Sequence, residues 1–342
     1  MNDRFRLTRR DLLLSLPAAA LARRVLAQGG MPTLKPRGLS HIPLIVSDVK
    51  RSVEFYQTVF GMPIQARQGS TVILRIGRGP QYLSIVPSDG APRIRGAALG
   101  LESFKADEVL RVLAAHGIAQ AEGSGELTRM TARVRTRGPS MGGAANGTAE
   151  VAFVDTDGVQ VLLEDARSAG GAGAAGDVVK IEPSPSKGIL AVSGISHFTV
   201  ASTDSPRSNT FYRALLGVGF RSYQGPAAPT VAIGPTVEFL MFNGSGGAAR
   251  GSGINHACLS MDAFNVGAIR TALESVGITP REGTGAVGPM RHYVSLRMPN
   301  RGGAPEGTPE FYFTDPDGLL IQLQDVKYCG GNGYLGDVCP PL

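Results

Sequence analysis

The sequence predicts an α+β fold made of four βαβββ modules, paired into two similar domains, and two observations carry that prediction. First, a long segment occurs twice, about 156 to 160 residues apart. GLSHIPLIVSDVKRSVEFYQTVFG (Gly38 to Gly61) returns as GISHFTVASTDSPRSNTFYRALLG (Gly194 to Gly217), and AFVDTDGVQVLLED (Ala152 to Asp165) returns as YFTDPDGLLIQLQD (Tyr312 to Asp325). His41 thereby matches His197, Phe55 and Tyr56 match Phe211 and Tyr212, and Asp155 and Asp157 match Asp315 and Asp317. Second, each copy runs through strand, helix and three strands two times over, an order that segregates helices to one face of a sheet.

The elements follow in chain order. Met31 to Arg37 is a proline-containing lead-in to a first domain over residues 38–166, whose second module restarts at AALGLES (Ala97 to Ser103) and the helix ADEVLRVLAAHG. Residues 167–190, rich in Gly, Ala, Ser and Pro, read as a flexible linker. In the second domain, residues 191–327, HFTVAS alternates as a strand and SPRSNTFYRALLG is a helix with Phe211, Leu215 and Leu216 on one face, ended by Gly217. Strands are expected near Gly219 to Tyr223, Pro229 to Ile233 and Val237 to Phe242. The pattern restarts with INHACLSM as strand and VGAIRTALESVG as helix, then strands at His292 to Met298, Glu310 to Thr314 and Leu319 to Gln324. The two Asp-x-Asp-Gly turns carry carboxylates suited to capping the turn, with Gly supplying positive φ. The glycine-rich runs Gly138 to Gly147 and Gly244 to Gly253 do not join a strand to a helix as a phosphate-binding loop must, and read as mobile loops.

The formal net charge of +6 owes much to Arg4, Arg6, Arg9, Arg10, Arg23 and Arg24, ahead of the folded part. No basic stripe with interleaved aromatics occurs, which argues against a nucleic-acid partner. The apolar run Leu12 to Leu21 is too short to span a bilayer, so no stable membrane insertion of the mature chain is expected. Arg9 and Arg10, followed by Asp11, Leu12 and Leu13, resemble a twin-arginine export signal, with cleavage expected after Ala27. That resemblance implies a signal peptide over residues 1–27, the twin-arginine export machinery as a partner, and a periplasmic or secreted mature protein. Cys329 and Cys339 sit ten apart in a glycine-rich tail, residues 328–342, where a disulfide is expected. Cys258 reads as a buried core cysteine.

Paired βαβββ modules that open with a histidine before a strand and close with Asp-Pro-Asp-Gly before another resemble the vicinal oxygen chelate superfamily, which takes in glyoxalases, bleomycin-resistance proteins and extradiol dioxygenases. The resemblance implies two vicinal-oxygen-chelate-like domains and one divalent metal ion (Fe, Mn, Zn or Ni) inside a curved sheet. It also implies a small oxygen-chelating organic substrate, turned over in a dioxygenase-like or lyase/isomerase-like reaction. A metal-free small-molecule binder of the bleomycin-resistance type is the alternative. A homodimer is compatible with the sequence.

Mapped onto this chain, the resemblance places metal ligands at His197, His256, Gln322 and Glu238 of the second domain. Imidazoles suit these metals; a neutral Gln322 amide replaces the usual carboxylate, and Glu238 is the carboxylate that would complete the set. In the first domain His41 is retained, but Ala97 is read opposite His256, Leu162 opposite Gln322, and Gln81 or Tyr82 opposite Glu238. Glu238 and His292 are the candidate acid–base groups, since a carboxylate or an imidazole can exchange a proton near neutral pH. Arg291 and Arg297 would give the second pocket a positive rim. Glu150 and Glu310, matched across the halves, read as structural, as do Tyr56 and Tyr212, and His116 reads as a helix-end histidine.

Overall fold

The computed structural model describes residues 30–88, 90–168, 170–171, 181–225, 228–244 and 251–331. It is a mixed α+β architecture in which each half holds two strand–helix–strand modules. The first half runs β1 (Pro36–Leu39), β2 (His41–Val46), α1 (Val49–Phe60), β3 (Ile64–Gln68), β4 (Thr71–Arg75), β5 (Tyr82–Pro87) and β6 (Arg93–Ile94). It continues with β7 (Gly96–Leu101), α2 (Ala106–Ala115), β8 (Ala119–Gln120), β9 (Thr131–Arg137), β10 (Thr148–Val154) and β11 (Gln160–Asp165). The second half repeats this as β12 (Gly194–Ser202), α3 (Ser205–Leu216), β13 (Phe220–Tyr223), β14 (Pro229–Ala232) and β15 (Phe239–Gly244). Its last module is β16 (Gly253–Met261), α4 (Val266–Ser275), β17 (Thr279–Pro280), β18 (Arg291–Arg297), β19 (Thr308–Thr314) and β20 (Leu320–Asp325).

In the second half β12 and β16 pair antiparallel, fusing both modules into one nine-stranded sheet, β13-β14-β15-β12-β16-β20-β19-β18-β17. The first half splits instead into sheets of five and six strands. Pro43 explains the split. It occupies the position of Thr199, which pairs with His256, and a proline has no N–H to offer the ladder. β2 therefore takes the two-residue β6 as its neighbour, and β1 pairs with β7 on the far side of the break. The lead-in expected before residue 38 is thus partly strand. Leu34, just ahead of it, is buried and donates its N–H to the Leu215 carbonyl of the other half at 2.9 Å.

The helices form where capping and an apolar stripe coincide. Asp48 and Asp204 accept the N–H groups of Arg51 and Arg207 at the starts of α1 and α3, and Gly61 and Gly217 end them at φ 66° and 64°. Tyr212, Leu215 and Leu216 of α3 are buried, while Phe211 is only partly so. One contiguous apolar core runs through both halves. The chain expected as a flexible linker is, over residues 181–190, laid along the first half: Glu182 exchanges backbone hydrogen bonds with Ile64, and Ile189 and Leu190 donate to the Val59 carbonyl. Gly138 to Gly147 contains a 3₁₀ turn at Pro139–Met141, whereas most of the Gly244 to Gly253 loop lies outside the described residues. The signal segment and Cys339, with its expected bond to Cys329, also lie outside them. Among the described residues no helix is long and apolar enough to cross a membrane.

Candidate functional site

His197 on β12 and His256 on β16 point to the same concave face, because the register pairs Thr199 with His256 and His197 with Cys258. Their rings lie 5.6 Å apart, centre to centre, nearly perpendicular. Gln322 reaches them from β20, whose register with β16 places it beside Cys258. All three side chains are buried. Phe239 stacks on His197 at 4.3 Å, and Tyr312 meets His256 edge-on at 5.3 Å, so aromatic walls fix both imidazoles. A cavity of about 60 Å³ opens onto them and is also lined by Thr199, Asn243, Glu310 and Arg301.

Electrostatics keep both imidazoles neutral. Burial pushes His256 down to about 4; burial, with the His256 and Arg297 charges adding to it, holds His197 well below the usual range. Ser196 Oγ lies 3.0 Å from His197 Nδ1, and Asn255 Oδ1 lies 2.8 Å from His256 Nδ1. His256 Nε2 and Gln322 Nε2 are buried without a partner in full hydrogen-bond geometry, although the Gln322 amide lies close enough to both imidazoles to favour their protonated forms slightly against burial. Unpartnered buried polar atoms are costly and rare, and these two belong to one small pocket. Two neutral imidazoles and an amide, whose oxygen and nitrogen exchange by a half-turn of the side chain, form a donor set that fits a divalent ion. Among the described residues no three or more His, Cys, Asp or Glu are grouped so as to hold a metal ion, so at this pocket it is the amide that joins the two imidazoles.

Glu238 is not brought to this pair. It precedes Phe239, whose ring faces His197, so strand alternation turns the carboxylate away. It lies at the seam between the halves, accepting from the Leu39 N–H and from Gln81 Nε2, the latter at 3.1 Å. Gln81 in turn accepts from Ile195 N at 2.7 Å. His292 is not in the pocket either: its Nε2 lies 3.2 Å from Glu274 of α4, and its ring stacks on Phe311. The neighbouring Tyr293 is the residue on the concave side, stacked on Tyr312 at 4.9 Å.

The expected positive rim is absent at Arg297, which is fully buried, donating to Glu310 at 3.1 Å, to Tyr328 and to the Gly330 carbonyl. Tyr312 and Tyr328 also donate to Glu310, at 3.2 and 3.0 Å. Arg137 and Glu150 repeat the ion pair in the first half, the structural role their symmetry implied. Arg291 bonds Thr279 and Glu282 instead of facing the pocket, and His116 binds the Pro32 carbonyl at 2.8 Å.

In the first half the register corrects the position opposite His256. Leu162 pairs with Ala98 as Gln322 pairs with Cys258, so His256 matches Gly96, not Ala97. A Cβ at Gly96 would overlap the Gln160 carbonyl, which leaves no room for any side chain there. What this half holds instead is a buried cluster that sequence reasoning passed over. Glu164 accepts from Ser40, from Tyr82 at 2.9 Å and 3.0 Å, and lies 3.2 Å from His41 Nδ1. Burial alone would raise the Glu164 carboxyl, but His41 and Ser40 outweigh it and hold it below its ordinary range. The available signal was its spacing two residues after Leu162, on the same strand face.

Residues 38–163 match the model of the Glyoxalase/Bleomycin resistance protein/Dioxygenase superfamily. Most of the chain superposes on solved structures. A variant of homoprotocatechuate 2,3-dioxygenase from B. fuscum superposes at TM-score 0.58 with 16% identity, over 90% of this chain and 76% of that one. A halotolerant catechol dioxygenase superposes at 0.56 with 16% identity, over 84% and 86%. The Mn(II)-bound glyoxalase from Novosphingobium aromaticivorans superposes at 0.57 with 13% identity, over 86% of each chain. No curated protein sequence matches this chain significantly. The family match belongs to residues 38–163, and at these identities the solved structures speak for the fold of both halves.

Proposed function

We propose that this chain is an exported enzyme whose second-half pocket holds a divalent metal through His197 and His256, with Gln322 beside them, and acts on a small organic substrate that offers two oxygens. One observation carries the reading: His256 Nε2 and Gln322 Nε2 are buried without a geometric hydrogen-bond partner, and both residues line a pocket shared with a second neutral imidazole. Neutral imidazole is the form that ligates metals. When bound, the ion would supply positive charge to stabilise a developing oxyanion or enolate. The residues around it have separable tasks. Ser196 and Asn255 fix the two rings through their Nδ1 atoms, leaving the Nε2 atoms for coordination. Phe239 and Tyr312 exclude water from the rings. Tyr312 is kept as a neutral phenol by burial and by Glu310, so it remains a hydrogen-bond donor. Glu310, already accepting from Arg297, Tyr312 and Tyr328, is the carboxylate bordering this pocket. A dioxygenase-like or a lyase/isomerase-like reaction suits such a site, in keeping with the activities that the solved relatives' names state.

Export through the twin-arginine machinery, to the periplasm or beyond the cell, rests on Arg9, Arg10 and the short apolar run after them. The test is elemental analysis of the native protein and of the His256→Ala variant. One divalent ion per chain, lost in the variant, supports the reading. No ion after supply of Fe, Mn, Zn and Ni overturns it. Metal-free capture of a small molecule then takes its place, a reading favoured by Glu310, the carboxylate at this pocket, being already engaged by Arg297, Tyr312 and Tyr328.

A further inference from the structure

We propose that the concave face of the first half is a second binding site, for a small organic carboxylate whose anionic group is held by Arg95 and Arg135. The cavity there measures about 70 Å³, room for several water-sized groups. Its floor is His41 stacked on Tyr82, ring centres 4.5 Å apart, with Glu164 beneath them. Pro43, Val86 and Leu162 give it an apolar wall.

Charge pairing within this cavity is complete except at two residues. Glu164 is satisfied by Ser40, His41 and Tyr82, and Glu150 by Arg137. Arg95, half-buried, and Arg135, exposed at the mouth, also line the cavity, and no ion pair among the described residues involves either guanidinium. They act on each other: half-burial, followed by the positive charges of Arg93 and Arg135, lowers the Arg95 pKa. An anion between them would relieve that repulsion, and a guanidinium fork matches a carboxylate in shape as well as charge. The ionised Glu164 at the floor disfavours a second negative charge deeper in, so the ligand is a monoanion with its carboxylate at the mouth and an uncharged body inward.

The duplication shows that the fold does not require these arginines. Registers β9–β10 and β18–β19 set Arg135 opposite Glu150 and Ser295 opposite Glu310. By the β7 and β16 registers, Arg95 falls where Asn255 stands. Neutral Asn255 and Ser295 therefore fill the same two positions in the other half. The two halves have taken different groups onto one scaffold, imidazoles in the second and a guanidinium pair in the first.

The test uses propionate as probe on the full mature chain, followed by calorimetry or ligand-observed NMR at low salt. The variants are Arg95→Asn and Arg135→Ser, which import the residues the second half already tolerates, with thermal unfolding as the check that they fold. The expected result is saturable propionate binding that weakens roughly tenfold or more in the double variant, is not reproduced by propionamide, and is unchanged in His256→Ala. Equal affinity in the folded double variant, loss in His256→Ala, or no binding at tens of millimolar propionate would overturn the proposal.

Discussion

Tyr212 Oη donates to Asp155 Oδ2 at 2.7 Å across the boundary between the two halves, and Tyr56 Oη returns the contact to Asp315 at 3.2 Å. The same aspartates shape their own turns: Asp155 Oδ1 accepts the N–H groups of Asp157 and Val159, and Asp315 Oδ1 those of Asp317 and Leu319. Asp157 then binds Thr203 and Arg207, while Asp317 binds Ser47 and Arg51. Each Asp-x-Asp-Gly turn is thus both a turn cap and one half of a reciprocal latch onto the helix start of the opposite half. Only the capping was legible in the sequence, because spacing reveals a turn but not what lies across from it.

Removing one latch hydroxyl should be costly. In Tyr212→Phe the buried Asp155 carboxyl, already raised by desolvation, loses its side-chain donor. The expected loss is about 1–3 kcal/mol of unfolding free energy, read by urea denaturation. Tyr56→Phe should cost no more, given its longer bond. A double variant no less stable than the Tyr212→Phe single would mean that the second latch carries no load.

Glu238 should give stability a pH dependence of recognisable sign. Burial raises its carboxyl from 4.5 to about 7, and burial takes Asp315 to about 6. Between pH 4.5 and 7 the folded chain therefore binds more protons at these sites than the unfolded chain does. Their contribution to stability is full below the unfolded values and is lost as pH rises through the folded ones. His256, pushed down to about 4, acts in the opposite direction from there up to its ordinary 6.5. The difference between wild type and Glu238→Gln isolates the Glu238 part: the variant should lose less stability from pH 4.5 to 7.5, by on the order of 2 kcal/mol. Parallel curves from thermal scans across that range would show that Glu238 titrates at its ordinary value.

How the site was read from sequence follows from strand alternation. The four modules were legible because caps, terminating glycines and turn aspartates recur at fixed spacing, and the family resemblance carried by those modules pointed to His197, His256 and Gln322. Alternation also separates Glu238 from Phe239 and His292 from Tyr293, but it fixes only relative faces. Which face is concave depends on the sheet's neighbours: Phe239 against His197, Tyr293 against Tyr312, and α4 with Glu274 behind His292. Those contacts are long-range and leave no local trace. The off-by-one match of Ala97 to His256 has the same origin, since parallel register is set by pairing with β11.

Gly96 explains why the first half cannot be given the second half's imidazole. The backbone of β11 passes so close that a Cβ meets the Gln160 carbonyl oxygen. Gly96→Ala should destabilise by about 3 kcal/mol, through forced separation of β7 and β11, and Gly96→His by at least as much without adding a metal site. Chemical denaturation of the pair checks this, and an alanine variant as stable as wild type would show that the strands part freely.

The amide at Gln322 sets how tightly the proposed ion is held. Two neutral imidazoles and an amide leave a divalent charge uncompensated by the protein, whereas a carboxylate at the same position would offset one unit of it. Gln322→Glu should therefore tighten metal binding by roughly tenfold or more, read by competition with a chromophoric chelator. Without metal the same variant should be less stable than wild type, because a carboxylate replaces an uncharged group in a buried site. Added metal should then raise its unfolding temperature more than it raises that of wild type, and His256→Ala should show no such response. The opposed signs make the result specific. A merely structural Gln322 would give a destabilised variant that metal does not rescue.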